Sequence, residues 1–246
     1  MLSTESNGIP LLAVVIELLV TLSISTIALL LWQKYRQRGD NSIKNLFFGV
    51  FFYSLAVFVS WIGKVLEYFL PFDIALRNYS GFMIIVAYCC TILANAFVIV
   101  FYSAIFEGEE SSYTKKLLFL DGITLGFILP NISFDEHVYD KILYFLVYHI
   151  IISFIIYGNL YRKSKAEERN AEDPISKTGF KFIGLFGLAV IALYVSFVLD
   201  LIVGIIQGGG YTPFYYLGWI SGGFASLFAY LGYIMPNWLR NRVSKN

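Results

Sequence analysis

Apolar residues run almost unbroken through seven stretches of the chain, at 9–32, 46–70, 80–106, 117–134, 142–161, 182–206 and 213–235. A helix needs about 20 mostly apolar residues to cross a bilayer. The pattern therefore predicts an all-α, polytopic seven-transmembrane-helix bundle forming a single domain over 1–246. The fourth stretch is the weakest. It is short, contains Asp121 and Gly122, and runs into Pro130-Asn131. One long polar segment separates the fifth and sixth stretches, within 162–181. Its core, KSKAEERNAEDP, mixes both charge signs and reads as a solvated helical extension stopped by a proline and a turn.

The polar ends give a direction. Lys34, Arg36, Arg38 and Lys44 follow the first stretch, and Lys115 and Lys116 follow the third. Arg162, Lys163, Lys165, Arg169, Lys177 and Lys181 follow the fifth, and Arg240, Arg242 and Lys245 follow the last. The other side offers Arg77 and Lys141. Short loops rich in Lys and Arg stay in the cytoplasm, so the N-terminus is expected out and the C-terminus in, in a multi-pass protein of the cell membrane. Two glycosylation-type tripeptides, Asn78-Tyr79-Ser80 and Asn131-Ile132-Ser133, fall on the expected outer side.

Composition agrees with the pattern. The chain is 58% hydrophobic and 14% charged, whereas soluble domains are about half apolar and a quarter charged. A net charge of +1, with no basic patch, argues against a nucleic-acid partner. Cys89 and Cys90 are adjacent in an apolar run and provide neither a disulfide framework nor metal-ligand spacing.

The candidate chemistry lies in polar residues within apolar stretches: Glu17, Lys64, Glu67, Asn95, Asp121, His149, Asn159 and Asp200. Such residues usually face a bundle interior. At about 1.5 Å per residue, Glu17, Lys64, Glu67, His149 and Asp200 share the outer half of the bilayer. Two arrangements suit Lys64. It reaches the headgroups and pairs with Glu67, three residues on in FVSWIGKVLEYF. Alternatively it faces Glu17 and Asp200 and forms an outward-facing polar pocket for a small polar ligand or ion. His149 would add a group that titrates near neutral pH when unperturbed. The loop QGGGYTPF at 207–214 reads either as a lid over that pocket or as a plain turn. Small residues spaced four apart, such as Gly218 and Gly222, allow helix 7 to pack closely.

Several classes find no support. The single intramembrane lysine, Lys64, is not in the last helix, where a retinal Schiff base would need it. Two histidines, His137 and His149, make no metal site, and neither GxSxG nor HExxH occurs. An enzyme is not expected, and neither a cofactor nor a bound metal is called for. The motifs LLLWQKYRQRG, LEYFLP and YLGYIMPNWLRNR, closing helices 1, 2 and 7, together with the N-out topology, resemble the seven-helix membrane module of prokaryotic sensor receptors. That module stands before a histidine kinase or cyclase. The residues after helix 7, to Asn246, lead to no expectation of such an output domain. The resemblance implies a receptor-like protein whose partners are membrane lipids, a small polar ligand or ion, and a separate cytoplasmic signalling protein. Two alternatives remain: a small transporter of a polar solute or ion, and a structural subunit of a membrane complex.

Overall fold

The computed structural model describes residues 10–69, 74–108, 111–129, 138–207 and 211–244, the side chains of 74–80 and 138–146 not among them. Among the described residues the chain forms helices and no strand. They are α1 (Leu11–Arg38), α2 (Asn41–Phe69), α3 (Ile74–Phe106), α4 (Ser112–Ile128), α5 (Val138–Asn170), α6 (Pro174–Gln207), α7 (Pro213–Tyr233) and α8 (Asn237–Val243).

The helices extend beyond the apolar runs, so the connections are tighter than the sequence pattern suggests. α1 continues through Arg38 and stops at Gly39, whose φ of 68° is left-handed. Its N–H bonds the Tyr35 carbonyl, the closure glycine permits after a helix. Asp40 then opens α2 by accepting from Ser42 N–H at 2.7 Å. Its other oxygen accepts from Tyr233 OH at 2.9 Å, pinning this turn to the end of α7. The segment 163–170 is helical, as expected, but Pro174 does not stop α5. It opens α6, where a missing N–H costs nothing because first-turn donors lack helical partners. α4 begins before its apolar run, capped by Ser111, so Lys115 and Lys116 stand on a helix and not in a loop. The Asn78 tripeptide lies inside α3. The Asn131 tripeptide, His137 and Gly208–Gly210 fall outside the described residues.

Six helices close a ring in the order α1, α2, α3, α5, α6, α7 and back to α1, with α4 wedged against α3 and α5. Close backbone approach sets α6 against α7. A Cβ on Gly232 would meet the Ile183 backbone nitrogen at 2.9 Å, and one on Gly218 would meet the Phe197 ring at 2.6 Å. The glycine spacing on helix 7 thus serves packing within the chain.

The distribution of polarity is inverted relative to a soluble protein. Leu19, Leu29, Phe119, Phe127, Ile205 and Ile206 are exposed, while Glu17, Asn95, Asp121 and His149 are buried at 1% exposure or less. An apolar surface of this extent suits lipid. Among the described residues, four helices are long and apolar enough to cross a membrane: Leu11–Arg38, Asn41–Phe69, Gly81–Phe106 and Pro174–Gln207. α7 and α8, bent by 66°, make a fifth if taken as one span. α4, with 17 residues, is shorter than the usual crossing length of about 20.

Candidate functional site

Lys64 and Glu17 form the centre of the site. Buried positions on α1 recur with helical period, among them Ala13, Glu17, Thr21, Ile24, Ala28 and Leu31, so Glu17 sits on the stripe that faces the ring. The Lys64 ammonium reaches both of its carboxylate oxygens, Oε1 at 3.0 Å and Oε2 at 2.9 Å. Ser60, one turn before Lys64 on α2, donates to Glu17 Oε1 at 2.8 Å and accepts from Lys64 at 2.9 Å. Tyr215 OH donates to Glu17 Oε2 at 3.2 Å. The rings of Tyr215 and Trp219 face the ammonium at 5.5 and 5.7 Å. Trp61 Nε1 donates to the Val14 carbonyl at 3.1 Å and adds a second tie between α1 and α2. The Lys64 side chain is 12% exposed and that of Glu17 is 0% exposed. A buried pair holds only when its remaining donors and acceptors are satisfied; here Ser60 and Tyr215 satisfy them.

The other expected members take different places. Asp200 accepts from Thr212 N–H at 2.7 Å and ties the end of α6 to the start of α7; its role in the described geometry is to anchor the chain. Glu67 is half-buried near the end of α2. Tyr211, just before α7, packs edge-on against Tyr215 at 4.9 Å and holds a positive φ of 62°. Burial raises its hydroxyl above the ordinary tyrosine range, with the nearby Lys64 charge acting in the opposite direction. Tyr211 therefore stands near the ion pair, on a strained backbone that a non-glycine residue adopts at a cost of about 1–3 kcal/mol.

His149 is fully buried in a second cluster. Its Nε2 lies 3.0 Å from Thr91 Oγ1 and 2.9 Å from Tyr194 OH, while its Nδ1 has no hydrogen-bond partner. Tyr53 OH donates to Tyr194 OH at 3.2 Å. Deeper still, Asn95 donates to Ser153 Oγ and accepts from Tyr157 OH, both at 3.0 Å. Asp121 on α4 lies beside Asn95, with neither carboxylate oxygen hydrogen-bonded.

A cavity of about 100 Å³ joins the two outer clusters. Its wall includes Ser60, the partner of the ion pair, and Thr91 and Tyr194, the partners of His149. Ala56, Ala87, Phe197 and Trp219 supply much of the apolar lining. Sequence reasoning did not single out Ser60, Tyr215, Thr91, Tyr194 or Trp219. The available signal was the four-residue spacing of Ser60 with Lys64 and of Tyr215 with Trp219, which puts each pair on one helix face. Among the described residues no group of three or more His, Cys, Asp and Glu could hold a metal ion. Comparisons with protein-family models, curated proteins and solved structures find no match.

Proposed function

We propose that this chain is a receptor-like sensor of the cell membrane, with seven spans, its N-terminus outside and its C-terminus inside. The supporting observation is the shared wall of the cavity: Ser60 lines it and also bonds both members of the Lys64–Glu17 pair. A molecule entering the cavity touches the clasp that joins α1, α2 and α7. Differential contact with two packings of those helices is what a ligand needs to shift an equilibrium between them. The opposite ends of the bundle carry the basic residues of α1, α4, α5, α6 and α8. These ends are where a cytoplasmic signalling partner would read the change.

Transport of an ion or polar solute is the second reading. It draws on Asp121, a buried carboxylate without a hydrogen-bond partner, since intramembrane acids often mark ion and proton paths. One experiment separates the two. Protein extracted from its own membrane is tested by native mass spectrometry for a retained small molecule, and the same protein in liposomes is tested for dissipation of proton and potassium gradients. Retention by the parent, loss in Ala87→Phe and tight vesicles support sensing. Gradient collapse that depends on Asp121 supports transport.

A further inference from the structure

The chemistry of the cavity wall restricts what can occupy it, an argument that rests on the cavity being the ligand site. Its lining contains hydroxyl-bearing and apolar side chains but no Asp, Glu, Lys, Arg or His. The nearest cation, Lys64, is already neutralised by Glu17. A charged molecule would lose its hydration here without gaining a counter-ion, which is costly in an apolar setting.

Much of the wall's hydrogen-bonding capacity is already used. Ser60 donates to Glu17, Thr91 donates to the Tyr88 carbonyl at 2.8 Å, and Tyr53 donates to Tyr194. The Trp219 indole N–H is buried beside the Tyr215 hydroxyl and presents no donor to the cavity. Size is the last restriction. A cavity of 150 Å³ holds benzene, and this one is about 100 Å³.

We infer that the cavity between α2, α3, α6 and α7 binds an uncharged, mostly apolar molecule with about four heavy atoms. This narrows the polar ligand or ion expected from the sequence to a neutral, mostly apolar one.

The test uses the full chain in lipid nanodiscs, labelled with 5-fluorotryptophan. Its four tryptophans give separate fluorine resonances, and Trp219 is assigned by its loss in Trp219→Phe. Three probes of one size are titrated: 1-propanol, acetate and propylammonium. The inference expects 1-propanol to shift the Trp219 resonance saturably, with at least tenfold weaker binding in Ala87→Phe, which fills the cavity. Ala56→Leu serves the same purpose from α2 should the first variant not fold. The two charged probes should leave the resonance in place. A saturable shift by acetate or propylammonium that either filling variant removes would overturn the neutral class while leaving the pocket intact. No saturable shift from any probe, or a 1-propanol shift unchanged in both filled variants, would overturn the class and the pocket together.

Discussion

Lys64 Nζ lies 2.9 Å from Glu17 Oε2, joining two helices that are adjacent in the ring through charges 47 positions apart in sequence. This pairing answers why an apolar helix carries a full cation. The lysine neutralises a carboxylate on the next helix, and Ser60, Tyr215 and two aromatic faces complete its surroundings. Ionic groups are retained in a low-dielectric interior when paired and fully hydrogen-bonded.

Asp121 is the opposite case. Its carboxylate is buried with neither oxygen partnered, the arrangement that penalises folding. Asp121→Asn removes the charge at nearly constant volume, and an uncharged amide costs less to bury there, so the variant should be more stable than the parent. Thermal unfolding in detergent at neutral pH checks this. A less stable variant would mean that the carboxylate has a bonding partner in the membrane-embedded protein.

Much of the helix plan is readable in sequence because apolar runs and helical segments coincide over most of their length. The ends are less readable. Gly39, Asp40 and Pro174 show why: capping chemistry lets a helix run through polar residues, and a proline that looks like a stop is a good first residue. The site was half legible. Charges in apolar runs identified Glu17 and Lys64, and helical rise put them at similar depth. Depth does not give azimuth, so Asp200 at a comparable level turned out to serve Thr212 and the α6–α7 connection. The tyrosines and Trp219 were missed because aromatic residues are ordinary in a bilayer protein, and only the folded ring shows which hydroxyls meet His149 and Glu17.

The turn into α6 has a defined pH response. Ser176 donates its backbone N–H and then its hydroxyl to the exposed Asp173, both at 2.9 Å, and these bonds lower the Asp173 pKa below its ordinary 3.8. A depressed carboxylate stabilises the fold above its unfolded value and loses that contribution as pH falls through the lower folded value. Amide exchange at Ser176 should thus stay protected from neutral pH down to about 4 and weaken below it. In Asp173→Ala it should be fast at every pH. Equal protection in parent and variant would remove the cap from the account.

Beyond the 66° bend, α8 exposes Trp238 while burying Leu239. Arg240 and Arg242 follow on the same short helix. An amphipathic segment of this kind lies at headgroup depth, with its basic residues near anionic lipid. Trp238 fluorescence, isolated by difference against Trp238→Phe, should be quenched by lipids brominated near the headgroup more than by those brominated at the chain ends. Water-like emission insensitive to both would place α8 off the bilayer.

The clasp itself is tested most directly by a double-mutant cycle on Lys64 and Glu17. Lys64→Met strands the Glu17 carboxylate, and removing one partner of a buried pair costs about 3–5 kcal/mol. Glu17→Gln leaves the ammonium without its counter-charge and should be comparably harmful. Because both single changes break the same interaction, the double variant should lose much less than their sum. Chemical unfolding of the four proteins in one detergent measures the coupling. Strong non-additivity is the expected result; singles as stable as the parent, or losses that simply add, would contradict the buried ion pair on which the proposed site is built.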